Sequence, residues 1–191
     1  MEITVKFYLP KGLKGKKKTN IKRWKKAIEW WVKKLKKKCD GLTLKIKYED
    51  TDTTSLPEGK TWYATENAKV KKEGKTLVGR KALFKYLGDE TDPKHFRICL
   101  FEKVISKPQH ENGSGSIPGK FEPPNTLAAK KKTKTADRRH EIGHLFGLED
   151  GDGGIMDKVF PKKGEHKDAH YGSKDHWGSD WCSKIKHHLG L

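Results

Sequence analysis

Apolar and polar residues alternate from the start of the chain: Ile3, Val5, Phe7 and Leu9 share one face, and Pro10 closes the run. A period of two marks a half-buried strand. The period then lengthens. Apolar residues recur at Ile21, Trp24, Ile28, Trp31, Val32 and Leu35, the stripe of an amphipathic helix expected to start at an Asn20 cap and run to about Lys38. Lys22, Lys25, Lys26, Lys33, Lys36 and Lys37 occupy the opposite face, and Trp30 falls at the rim of the stripe. Gly41 ends the helix, and Leu42, Leu44, Ile46 and Tyr48 resume the alternation. Strand, helix and strand in this order predict a parallel pair joined by a right-handed crossover.

The middle of the chain is less regular. Residues 50–60 form a polar loop whose carboxylates lack the glycine and terminal glutamate of an EF-hand calcium loop. Residues 61–78 read as a weak strand or hairpin, and Lys81 to Leu87 as a short helix or turn. His95 to Val104, with Phe96, Ile98, Leu100 and Val104, predicts a third strand; Asn125 to Ala129 reads as a last short one. Between them, Lys107 to Pro124 is rich in glycine, serine and proline. A further helix is expected from a cap at Thr133 or Thr135, with Asp137 suited to its first turn. After an irregular tail, Ser179 is expected to cap a C-terminal helix bearing Trp181, Ile185 and Leu189 at four-residue spacing. The sum is an α/β (α+β) chain: a twisted mixed sheet of four or five strands, one backing helix, and two later helices.

Composition narrows the picture. At 191 residues, the chain is expected to form one domain able to build its own core. Its apolar content is 32% against 36% charged, which predicts a small core under a densely charged surface. No apolar run approaches the roughly 20 residues needed to span a bilayer. The opening Met1-Glu2-Ile3-Thr4 is strand-like and shows no signal peptide. Net charge is +18 and the isoelectric point near 9.7. Such a charge admits anionic membranes, acidic proteins or nucleic acid. Aromatic residues are not interleaved with the lysines as a base-stacking platform requires, so the pattern argues against specific nucleic-acid recognition. Cys39, Cys99 and Cys182 allow at most one disulfide and no Cys-x-x-Cys metal spacing, and all three are expected to be small buried hydrophobes.

The chemistry concentrates in His140-Glu141-Ile142-Gly143-His144-Leu145-Phe146-Gly147-Leu148-Glu149-Asp150, followed by Gly154-Ile155-Met156. His140 and His144 project from one helix face, where two neutral imidazoles can bind one zinc ion at roughly 2.0–2.1 Å. Glu141 is placed to reach water on that metal without being a ligand. Gly147 permits a sharp turn, which would return Asp150 as a third ligand and leave a position open, as in a catalytic site. Glu149 and Asp152 are the nearest substitutes for Asp150. His166, His170 and His176 in the tail are rival ligands that lack that turn.

His-Glu-x-x-His-x-x-Gly-x-x-Asp with a methionine six residues beyond resembles the metzincin zinc endopeptidases, in the snapalysin-like minority whose third ligand is aspartate. The resemblance covers residues 140–157 and implies a metzincin-like zincin fold over residues 1–191. It divides the chain into an upper sheet subdomain of about 1–147 and a lower irregular one of about 148–191. It implies that Met156 forms the Met-turn beneath the metal, and that an edge strand, here Ser114 to Phe121, aligns extended substrate before the active-site helix. It also implies hydrolysis of internal peptide bonds with one catalytic zinc and with Glu141 as general base and acid. Some relatives place a tyrosine two residues after the methionine; Lys158 stands there, so that element is absent, and Tyr171 could substitute only through the way the tail folds. Protein or peptide substrates are expected, acidic ones favoured by the charge, with a monomeric enzyme secreted or delivered as the mature domain of a longer precursor. The alternative is a basic module for nucleic acid or anionic surfaces with a vestigial zinc site, or a peptidase toxin domain or DNA-associated protease.

Overall fold

The computed structural model describes residues 1–13, 17–64, 77–106, 117–159, 170–171 and 177–191. Its centre is a five-stranded sheet. Strand β1 (Glu2–Tyr8) pairs in parallel with β2 (Lys45–Tyr48), in the register Glu2 to Lys45. On its other side β1 pairs in parallel with β5 (His95–Phe101), which pairs in parallel with β8 (Thr126–Lys130). The last strand, β7 (Gly119–Glu122), is antiparallel to β8 and forms the sheet edge, so the order is β2-β1-β5-β8-β7. The expected mixed α/β architecture is therefore present, with four helices among the described residues.

Helix α1 (Lys17–Lys38) buries Trp24, Ile28, Trp31 and Leu35, the apolar stripe read from the sequence. These side chains pack on Ile3, Val5, Phe7, Phe96, Ile98 and Leu100 of the sheet and on Ile142, Leu145 and Phe146. Each fully buried large apolar side chain stabilises the fold by about 1.5–3 kcal/mol relative to exposure. The helix starts earlier than the expected Asn20 cap: Asn20 is buried within the first turns, and Lys17 and Lys18 extend the helix on its exposed side. Lysine is a good helix former, so propensity carries the helix past the capping residue. Helix α4 (Trp181–His188) packs into the same core through Trp181 and Ile185, with Leu189 just beyond it, as the spacing predicts. Its N-cap is Asp180 rather than Ser179.

The opposite sheet face carries what the sequence pattern did not resolve. Strands β3 (Thr61–Tyr63), β4 (Leu77–Val78) and β6 (Lys103–Ile105) form a second, all-parallel sheet. A parallel β3–β4 pair excludes the expected hairpin, because a tight turn can join only antiparallel strands. The expected strand from His95 to Val104 is two strands: the chain bends at Glu102, leaving the main sheet for the small one. Helix α2 (Gly79–Leu87) covers this side, where Leu83 packs with Trp62, Cys99, Phe101 and Val104. Two short strands, β9 (Lys158–Val159) and β10 (His170–Tyr171), pair antiparallel. No helix among the described residues is long and apolar enough to cross a membrane.

Cys39 and Cys99 are buried as expected, but Cys39 is not a lone thiol and Cys182 is only half-buried. Cys39, just beyond α1, is joined to Cys182 of α4 in a disulfide, with Cα atoms 5.4 Å apart. Two chain segments remote in sequence meet there, and no local spacing announces it. Cys99 alone is a free buried thiol, and burial pushes its pKa up to about 12.

Candidate metal centre

Helix α3 (Thr135–Leu145) carries the histidines. Its N-cap is Lys134, one residue from either threonine expected to cap it. Asp137 supplies the end group instead: its Oδ2 accepts the Lys134 amide at 3.2 Å and the Thr133 hydroxyl at 3.1 Å. A carboxylate in the first turn also suits the positive end of the helix dipole. Across the helix, the Trp31 indole donates to the Arg139 carbonyl at 2.6 Å, fixing α3 on α1.

The helix ends at Phe146, and Gly147 takes φ +84°, the left-handed conformation that closes such a turn without Cβ strain. The chain then doubles back through a 3-10 turn at Gly154–Met156. Both segments hold the imidazoles. The Leu148 carbonyl lies 2.7 Å from His144 Nδ1, and the Ile155 carbonyl 2.9 Å from His140 Nδ1. A carbonyl only accepts, so Nδ1 carries a proton, and in its neutral form each ring would present its Nε2 lone pair to the same space. The two Nε2 atoms are 3.2 Å apart. Asp150 Oδ1 lies 2.9 Å from His140 Nε2 and 3.4 Å from His144 Nε2. His140 is fully buried, whereas Asp150 is 60% exposed, so the cluster opens to solvent on the aspartate side.

One ligand atom from each of His140, His144 and Asp150 lies within 4.8 Å of the others, the one such metal-capable group among the described residues. The donor set of two imidazoles and a carboxylate fits zinc, and the backbone contacts on both Nδ1 atoms are the outer support such ligands usually have. Asp152, the rival ligand, is drawn away: it accepts the Glu149 amide at 2.7 Å and pairs with Lys184 of α4. His166 and His176 lie outside the described residues, as do the side chains of His170 and Tyr171.

Glu141 is 2% exposed and faces the edge strand. A Cβ built on Gly119 would lie 2.8 Å from Glu141 Oε2, so only glycine lets β7 come this close. Two residues on, Phe121 stacks on His144, ring centroids 6.1 Å apart and nearly parallel. Met156 is fully buried against Gly143, where a Cβ would collide with its Sδ and lie 3.0 Å from Trp31 Cζ2. The sequence pattern points to Glu141, Met156 and the edge segment, but not to the contact of Gly143 with Met156, the stacking of Phe121 on His144 or the hydrogen bond from Trp31 to α3. The glycine inside the His-Glu-x-x-His spacing was the available signal for Gly143. Of the expected edge segment Ser114–Phe121, residues 114–116 lie outside the described residues and the paired part is Gly119–Glu122.

Compared with known protein families and with curated proteins, the chain matches none.

Proposed function

We propose that the protein is a zinc-dependent endopeptidase of the metzincin kind. The observation that carries this reading is the convergence of His140, His144 and Asp150 within 4.8 Å, beside a buried Glu141 on the same helix. Two further features support it: an antiparallel edge strand against that helix, and Met156 packed under it through Gly143.

His140, His144 and Asp150 would hold the metal. When bound, zinc polarises the scissile carbonyl and makes water at the site more acidic. The protein groups do the rest. Glu141 accepts a proton from the attacking water and hands it to the departing amine, serving as base and then as acid. Its burial next to β7 keeps the carboxylate where an extended peptide would pass. Among the described residues β7 is the edge of the sheet, and its outer backbone groups would let such a peptide add as a further strand. Phe121 supplies a flat apolar wall over His144. Lys158 stands in the sequence where some metzincins have a supporting tyrosine, so a tyrosine at that position is not available to a developing oxyanion here.

The test is zinc content by elemental analysis together with cleavage of a mixed peptide library. Glu141→Gln is expected to retain zinc and to lose about 10²–10⁴-fold in turnover, since it removes proton transfer and no ligand. Near-normal turnover in that variant would remove Glu141 from the chemistry.

A second reading has its own observation. The exposed side of α1 carries Lys22, Lys26, Lys33, Lys36 and Lys37 against a single acidic residue of the helix, Glu29. That face suits an anionic partner and would serve a basic binding module. Salt-dependent retention of DNA by the Glu141→Gln protein, with no cleavage of any peptide by the native one, would favour it.

A further inference from the structure

Strand β7 and helix α3 run side by side in the same sense. Gly119 lies over Glu141, and Phe121 over His144. Continuing toward the helix start, Ile117 and Pro118 come beside Asp137, one turn before Glu141. There a cleft of about 510 Å³ opens, lined by Ile117, Pro118, Lys130, Lys132, Lys134 and Asp137. Its floor is tied together, since the Lys130 amide donates to the Pro118 carbonyl at 2.8 Å.

The charge of this cleft is one-sided. Its one carboxylate, Asp137, accepts from the Thr133 hydroxyl and the Lys134 amide, which commits it to the helix end. Lys131, between two lining lysines, is buried and pairs with Glu102. Lys130 and Lys132, its neighbours, line the cleft.

We propose that this cleft is a subsite for an acidic side chain, a glutamate or aspartate on the C-terminal side of the scissile bond. The inference rests on the peptidase reading above. A peptide added antiparallel to β7 runs from the Phe121 end toward the Ile117 end, so its residues beyond the cleaved bond enter the cleft. Asp137 precedes Glu141 by four residues, a rise of about 6 Å. Side chains on one face of a strand recur every ~6.8 Å. The anionic side chain therefore belongs to the first or second residue after the cut. Lys130 and Lys132 receive its carboxylate, and the apolar edges of Ile117 and Pro118 flank its methylenes.

The experiment uses peptides identical except for Glu, Gln or Lys at those two positions. Cleavage by the zinc-loaded protein is measured as kcat/KM. Binding to Glu141→Gln protein, with and without zinc, is measured by fluorescence anisotropy. Exposed ion pairs contribute up to about fivefold each, so Glu is expected to exceed Gln by about tenfold in both readouts, less at high salt. In Lys130→Gln/Lys132→Gln protein that ratio should fall to about twofold or less. Lys132→Glu should shift preference toward the Lys peptide, which a merely misfolded variant would not do. Equal handling of Glu and Gln by the native protein, or a ratio unchanged in the double variant, overturns the subsite. Lysine-dependent preference in binding, with no peptide cleaved by native protein, supports the subsite and overturns the peptidase reading instead.

Discussion

The disulfide offers a perturbation whose size follows from the fold. Cys39 and Cys182 are 143 residues apart, so their bond closes most of the chain into one loop. In the chain-entropy picture, closing a loop of 143 residues removes unfolded-state freedom worth about 5 kcal/mol near room temperature. Native disulfides deliver about 2–5 kcal/mol in practice, and each kcal/mol shifts the melting temperature of a chain this size by about 2–4 °C. Reduction, or Cys39→Ser/Cys182→Ser, is therefore expected to lower the melting temperature by roughly 5–15 °C, the two treatments agreeing. Thermal unfolding followed by circular dichroism measures the shift. Thiol labelling checks the chemistry: unreduced, denatured protein should release one reactive thiol, Cys99, and reduced protein three. The consequence reaches the candidate metal centre. Trp181, next to Cys182, packs on Trp31 with ring centroids 5.4 Å apart, and its indole donates to the Asp152 carbonyl, two residues from Asp150. The serine double variant should thus bind zinc more weakly, measured without reductant so that no thiol competes for metal. Identical melting of oxidised and reduced protein, or three thiols in the unreduced chain, would refute the reasoning.

Other consequences are narrower. Gly143→Ala forces a methyl group into Met156 and Trp31 and should cost about 1–3 kcal/mol in chemical denaturation; an unchanged midpoint would mean the helix and Met156 are not in contact. Asp150→Ala should weaken zinc binding by more than the roughly 10–100-fold typical of outer-shell changes, and Asp152→Ala by no more than that; the reverse order in a chelator competition would make Asp152 the ligand. Partial burial alone would raise the pKa of Asp52, but hydrogen bonds from the Ser55 hydroxyl and the Ser55 and Thr54 amides, with Lys6 nearby, outweigh it and hold the carboxyl down to about 2. A pKa depressed by folding stabilises the protein above the unfolded value and is lost as pH falls through the folded one. Asp52→Asn should therefore lower stability at pH 5 and make no difference below pH 2; an equal loss at both would assign the effect to packing.

What was legible in the chain was what repeats or what is closely spaced. The α1 stripe and the β1 alternation showed because burial on one face imposes a period: Trp24, Ile28, Trp31 and Leu35, with Ile3, Val5, Phe7 and Leu9, are buried in the fold, while Ile21 and Val32 at the stripe's margin are half-buried. His140, Glu141 and His144 showed because a helix converts a spacing of four into a shared face. The rest depends on partners supplied by distant segments. Nothing near Cys39 signals Cys182, because the pairing exists only once α4 packs beside α1. Phe101, Glu102 and Lys103 read as one continuing strand, yet the chain changes sheets there, and an unbroken apolar pattern on both sides hides the bend. Asp150 and Asp152 show the boundary most clearly. Local sequence placed both within reach of the histidines after the Gly147 turn. In the fold, Lys184 pairs with Asp152, while Asp150 Oδ1 is left facing both Nε2 atoms. Which aspartate is left facing the two histidines is thus set in part by a lysine on the C-terminal helix, well outside the motif that announces the candidate site.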